Sequence, residues 1–212
     1  MRHPKYLFRT LLVLLMVLAS TQHSYSQWVK FKKKELIFLA SEEKINVVFT
    51  YKGVEFNGDN LSETTFLNHI ASKITKHQDT SEAVKWTHRY RQHKVKHWPE
   101  AFVSSLNKTV APYKHAPTFV LDEKNARYTL EVKVRWMYFG YDIKVLAQPA
   151  KLTTELIFYR TDTSQIVSKL EIEKTKGLST KEDFPKLSLK SMENCFERAA
   201  ENLGLSLKKV LK

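Results

Sequence analysis

A single cysteine, Cys195, in 212 residues excludes an internal disulfide framework. Glycine is scarce, at five residues, and proline at six, while aromatics reach 12%. That composition excludes collagen-like and Gly/Pro-rich disordered chains. Gly53, Gly58, Gly140, Gly177 and Gly204 lie too far apart to build a phosphate-binding loop. No H-E-x-x-H, C-x-x-C, EF-hand loop or G-x-S-x-G elbow occurs, so the sequence points to no cofactor and to no resident metal. One long apolar run and a mean hydropathy of -0.40 exclude a multi-pass membrane protein.

The apolar run is at the start. Arg2, Lys5 and Arg9 precede Leu11 to Ala19, and Ser24-Tyr25-Ser26 places small residues before Gln27. This is the pattern of a cleaved signal peptide over residues 1–26, with an alternative cut after Ala19. The run is about nine residues long, and a spanning helix needs about 20. No cysteine stands near the cut, which excludes a bacterial lipid anchor. The expected product is an exported periplasmic or secreted chain, residues 27–212. The formal charge is +13, and losing the leader's three cations and no acids leaves about +10. In an oxidising compartment, a lone Cys195 inside an apolar helical stripe is a small core residue.

After Lys30, Lys32, Lys33 and Lys34, the run Leu36 to Ala40 suggests a short strand, and Ile45 to Tyr51 a second. Val54-Glu55-Phe56 continues or pairs with it before the Asn57-Gly58 turn signal. Ser62 is an N-cap candidate for a helix to about His77, with Phe66, Ile70 and Ile74 at four-residue spacing. Residues 80–98 form a more polar helical stretch with Ala83, Trp86 and Tyr90 on one face, and Pro99 suits the start of a third helix. Then the period changes. Tyr128, Leu130, Val132, Val134, Trp136 and Tyr138 alternate with polar residues, as do Leu152, Leu156 and Phe158, and then Ile166, Leu170 and Ile172. Asp162-Thr163-Ser164 joins the last two runs into an antiparallel hairpin. From about Leu187 to Leu211 an apolar stripe marks a long C-terminal helix. The expected fold is a single α+β domain: a mostly antiparallel sheet with helices on one face and that long helix among them.

Two stretches carry candidate chemistry. Lys85 to His97 holds five basic residues (Lys85, Arg89, Arg91, Lys94 and Lys96), three histidines, Trp86 and Tyr90, and no acid. Basic residues interleaved with rings can engage nucleic acid, an anionic lipid or a glycan. For an exported chain nucleic acid is not the expected partner. A solvated helix face with Trp86 and Tyr90 turned to the core is the plainer account. His93 and His97 are four apart, with His88 a poorer third ligand, but no neighbouring carboxylate completes a metal set. The second stretch, Trp136 to Asp142, brings Trp136, Tyr138 and Tyr141 to a strand end, where exposed rings could stack on sugars or peptides. Core rings at alternate positions, followed by a turn at Gly140, are the plainer account there. Ser41-Glu42-Glu43-Lys44, Ser105-Leu106-Asn107 and Lys174-Thr175-Lys176-Gly177 loosely follow the order of serine transpeptidases, but Ser41 and Lys44 fall between apparent strands rather than on a helix. The sequons at Asn60 and Asn107 matter only in a eukaryotic host.

From Trp136 to Lys151 (WMYFGYDIKVLAQPAK) the sequence resembles small secreted Bacteroidota proteins of unknown function. They carry a similar aromatic-Gly-aromatic-Asp turn and a Gln-Pro-Ala-Lys strand start. Thr154 to Arg160, the Ile45 to Tyr51 strand and the ending Leu205 to Lys212 fit the same likeness. Where those proteins often have Pro-Gly-Trp, this chain has Phe139-Gly140-Tyr141. The resemblance implies no catalytic residues. More loosely, the element order is similar to α/β envelope domains that assist secretion or peptidoglycan synthesis.

Together these features predict an exported envelope module that binds rather than catalyses. Its partner would be an envelope protein or anionic polymer, with peripheral contact to a membrane surface. Lys85, Arg89, Arg91, Lys94, Lys96, Trp136, Tyr138 and Tyr141 are the candidate contacts. A small hydrolase acting on cell-wall or glycan substrates near Trp136 to Asp142 is the alternative.

Overall fold

The computed structural model describes residues 29–143, 146–178 and 187–212, with backbone alone at 141–143, 146 and 147. The leader expected over 1–26 lies outside the described residues.

Strand β1 (Lys44–Thr50) is flanked in parallel by β3 (Thr118–Leu121) and β4 (Tyr128–Tyr138). Strand β2 (Glu55–Phe56) runs parallel to the far end of β4, beyond β1. Strands β7 (Lys151–Arg160) and β8 (Ile166–Lys176) extend the sheet antiparallel, giving the order β3-β1-β4-β7-β8. A short hairpin of β5 (Tyr141–Ile143) and β6 (Leu146–Gln148) stands apart. The sheet is therefore mixed. Its two long ladders are antiparallel, and its three short ones are parallel. Alternation reveals which face of a strand is buried, but not the direction of its neighbour.

Parallel neighbours need a long crossover, and three helices supply it between β1 and β3. In α2 (Glu63–His77) Ser62 Oγ accepts the Thr65 N–H at 3.2 Å, and Phe66, Ile70 and Ile74 are buried. In α3 (Thr80–Gln92) Asp79 caps the Glu82 N–H at 2.9 Å, and Ala83, Trp86 and Tyr90 face inward. The third helix begins where Pro99 suggested, though without a gap in the chain's helical path. A π-helical turn, His93–His97, leads straight into α4 (Trp98–Val110). Proline lacks an N–H and crowds the carbonyl four residues earlier, and the wider turn makes room for it. The strand expected over Leu36 to Ala40 is absent: α1 (Lys33–Leu36) runs into a 3-10 turn at Ile37–Ser41. Leu36 and Leu39, three apart, are fully buried, and Ile37 between them is exposed, which is a helical spacing.

The long helix α5 (Leu189–Leu211) is capped by Ser188 and packs along α4 and over β7 and β8. Helices cover the face that carries Ile45, Val47, Leu130, Val132, Leu156 and Phe158, all but Leu156 and Phe158 from the parallel half, and all fully buried. Rings close this core: Trp98 stacks on Phe196 at 5.5 Å and Phe66 on Phe139 at 5.3 Å. The opposite face carries Thr50, Glu131, Lys133 and Glu155, cross-linked by Thr50 Oγ1 donating to Glu131 at 2.5 Å and by the Lys133–Glu155 pair at 3.9 Å. Among the described residues no helix is long and apolar enough to cross a membrane.

Two irregularities shape that outer face. The β4–β7 ladder pairs Val134 with Thr154 and Trp136 with Thr153, so Arg135 is an inserted residue. The β7–β8 ladder pairs Thr154 with Ile172 and Leu152 with Thr175, so Glu173 and Lys174 together oppose Thr153. Both neighbours of β7 thus bulge at one level, where bulges bend strands and re-aim side chains.

Candidate functional site

The basic segment divides sharply by depth. Trp86, Tyr90 and Trp98 are fully buried, whereas Lys85, Arg89, Arg91 and Lys96 are exposed on the outer side of the helical layer. Lys85 pairs with Glu82 one turn earlier at 2.9 Å, an exposed contact of small energetic weight. The rings that might have stacked on a ligand belong to the core, and the surface that remains carries the cations with Val84 and Val95 exposed among them.

Lys94 is different. Its Nζ lies 2.6 and 2.7 Å from the two Glu63 oxygens, at the first residue of α2, and 4.9 Å from the Tyr51 ring centroid. Tyr90 Oη donates to the same Glu63 carboxylate at 2.9 Å, and Tyr51 Oη donates to the Lys94 carbonyl at 3.0 Å. Burial first, and then the Glu63 charge, push both tyrosine hydroxyls above their ordinary range. Lys94 therefore ties α2, the chain leaving β1 and the π turn together. Its spacing with the other cations gave no sign of this, because Glu63 is far away in sequence.

The histidines do not assemble a metal site. His93 and His97 rings are 4.7 Å apart, and His93 Nδ1 is 3.4 Å from Glu193 Oε2 without hydrogen-bond alignment. Burial, and then His97, hold His93 below the usual imidazole range, against the pull of Glu193. Among the described residues no group of three His, Cys, Asp or Glu side chains is placed to hold an ion. The transpeptidase-like triplet is dispersed: Ser41 Oγ donates to the Phe38 carbonyl, Lys44 pairs with Glu123 at 3.3 Å, and Ser105 Oγ donates to the Glu197 carbonyl.

The aromatic stretch departs from its plainer account. Strict alternation would have buried Trp136 and Tyr138 with Val134. The Arg135 insertion reverses the phase, so Met137 and Phe139 are buried and Trp136 and Tyr138 turn to the uncovered face. Their rings lie 5.8 Å apart with planes 3° from parallel. Trp136 Nε1 donates to the Asn57 carbonyl at 2.8 Å, while Lys151 Nζ sits 5.2 Å from the Tyr138 centroid. Tyr138 Oη also reaches Gln148 Oε1 at 3.3 Å. Tyr141 begins β5, and its side chain lies outside the described residues.

Beside Trp136 is an open groove of about 450 Å³, walled by Arg135, Thr153 and Lys174 on one side and by the Gly53 to Asn60 loop on the other. Phe56 and Leu61 exchange backbone hydrogen bonds, both 2.9 Å, and close the loop that presents Asn57 and Asn60. Asn57, Asn60 and Lys174 all have positive φ, at 57°, 51° and 48°. Asparagine tolerates that region; lysine does not favour it. The Lys174 N–H donates to Thr153 Oγ1 at 3.1 Å, which holds the bulge. The structure thus separates the expected contacts into two surfaces, the outer side of α3 and the outer face of β4. Sequence reasoning missed the groove's own polar residues, Arg135, Lys174, Asn57 and Asn60. The Asn57-Gly58 turn signal was their one visible trace.

No protein-family model matches this chain, and no curated protein matches it. Among solved structures it is similar to the PelC dodecamer from Paraburkholderia phytofirmans, at 12% identity and a TM-score of 0.37. That match covers 82% of this chain and 90% of the other. A substituted form of the same dodecamer in another crystal form matches at 13% identity and a TM-score of 0.35, over 82% and 93% of the two chains.

Proposed function

We propose that this protein is an exported binding module of the bacterial envelope, related to the small secreted Bacteroidota proteins it resembles, and that it acts without catalysis. Its partner is an envelope protein or an anionic envelope polymer, held on the outer side of α3 and of the π turn that follows it. One observation carries the reading: Lys85, Arg89, Arg91 and Lys96 are each exposed, while Trp86, Tyr90 and Trp98 of the same helical run are buried. A cationic face without aromatics suits salt-sensitive docking to an extended anion and lacks the stacking platform that single-stranded nucleic acid uses. The same charge suits peripheral contact with anionic lipid headgroups.

The hydrolase alternative gains nothing from the groove. Glu55 is the one carboxylate on its described lining, and glycosidic hydrolysis by the usual route takes two.

The test is a pull-down from the host's envelope fraction with residues 27–212, at low and high salt. A variant with Lys85, Arg89, Arg91 and Lys96 all changed to Gln runs in parallel. A dominant partner captured at low salt by the native protein alone supports the proposal. Equal capture by both proteins, or none by either, sinks it.

A further inference from the structure

We infer that the groove beside Trp136 is a binding site for an acidic sugar, a carboxylated pyranose unit within a glycan. The inference stands apart from the reading of α3, since it uses a different surface and different residues.

Charge indicates the first half of the ligand. Arg135 and Lys174 both line the groove, and neither makes an ion pair with another described residue. Glu55 is the lone acid on this lining, and on its far side Arg135 also borders a depression that holds Glu155, Lys169 and Glu171. Elsewhere on this face Lys133 is paired with Glu155. Arg135 and Lys174 are the cations that the paired bulges push outward beside Thr153. The planar fork of arginine matches a carboxylate's two oxygens, and lysine adds a point charge.

The second half comes from the wall and the loop. Tyr138 lies parallel to the Trp136 indole at 5.8 Å and is not part of the groove, whereas Trp136 is on its lining. An indole face is electron-rich, and the weakly positive C–H face of a pyranose lies flat against such a surface. The ring is already fixed by its bond to the Asn57 carbonyl, so little freedom is lost on binding. The side-chain amides of Asn57 and Asn60 have no partner among the described residues, and they offer both donors and acceptors to hydroxyls. A bare phosphate would use the cations and leave the indole and amides idle; a neutral sugar would do the reverse. Three non-glycine residues at positive φ around one groove are a local conformational cost that the fold sustains where a ligand would meet it.

The experiment uses residues 27–212 and two probes, trigalacturonate and neutral maltotriose, followed by calorimetry and tryptophan emission. Trigalacturonate is expected to bind at least about tenfold more tightly than maltotriose, and R135Q and K174N each to weaken it by about tenfold. Asparagine is chosen at 174 because it removes the charge while accepting the positive φ. Trp136→Phe should abolish the emission change, because Trp136 is the tryptophan on the groove's lining. The fourfold Gln variant of α3 should bind trigalacturonate as the native protein does. Equal binding of the two probes, no binding of trigalacturonate at millimolar concentration, or an equal loss in the α3 variant would each overturn the inference. In each case the envelope pull-down is still decided by its own variant.

Discussion

Trp136 and Met137 are neighbours in sequence and opposites in environment: the indole stands on the uncovered face of the sheet, and the thioether is fully buried beneath it. The single inserted residue, Arg135, sets this arrangement. Met137→Ala should therefore cost about 2–5 kcal/mol, the usual range for emptying a packed core site. Tyr138→Ala should cost less than about 1 kcal/mol, as surface changes do. Urea denaturation of the two variants checks the assignment, and the opposite ranking would mean that the strand alternates without a bulge.

Lys94 and Lys96 make a second contrasting pair. Lys94 holds the partly buried Glu63, and removing it leaves that carboxylate with Tyr90 as its partner among the described residues. We expect Lys94→Gln to lower stability by about 1–3 kcal/mol, and Lys96→Gln to stay within about 0.5 kcal/mol. Thermal melting of each variant against the native protein provides the comparison.

Alkaline pH should weaken the fold. Burial pushes the Cys195 thiol from 9.0 up to about 12, and burial also raises Tyr51 and Tyr90. The folded chain keeps these groups neutral while the unfolded chain lets them ionise. Their contribution is thus fully present below the unfolded values and is lost as pH rises through the folded ones. Stability should decline from about pH 9 upward, and Cys195→Ala should flatten the first part of that decline. At pH 8 the native thiol should resist iodoacetamide and react once urea has unfolded the chain. Rapid native alkylation would contradict its burial.

Thr154 and Thr175 each bury a hydroxyl that finds no hydrogen-bond partner among the described residues. Valine has nearly the same shape without the polar atom. Thr154→Val and Thr175→Val are each expected to leave stability unchanged or raise it by about 1 kcal/mol, measured by chemical denaturation. A clear loss would show that each hydroxyl is satisfied in solution.

Gly140 has a φ of 74°, and a Cβ there would collide with the Gln148 carbonyl oxygen. Gly140→Ala combines that clash with an unfavourable backbone region, and we expect it to destabilise by more than about 2 kcal/mol. A calorimetric melt of the alanine variant tests this directly.

Local signals placed most of the elements. Ser62 before Phe66, Ile70 and Ile74 marked α2 closely, and the period of two announced β7 and β8. These patterns are legible because helix and strand periods are properties of neighbouring residues. Strand β3 went unseen because four residues carry no period, and it forms through its pairing with β1. The parallel direction of β1 was equally hidden, since it depends on a crossover through three helices.

The sequence by itself determined the composition class, the basic charge, the α+β alternation and the candidate rings at 136 and 138. Tertiary structure alone decided which of those side chains meet solvent. One inserted residue in β4 inverts the strand's phase beyond it, and no local propensity counts that residue as extra; its partner across the ladder does. The same holds for Lys94, whose charge is plain in the sequence but whose task is set by Glu63, brought alongside from an earlier helix. Periodicity is written in adjacent residues, whereas register and ion pairing are written in distant ones, and only the folded chain brings those together.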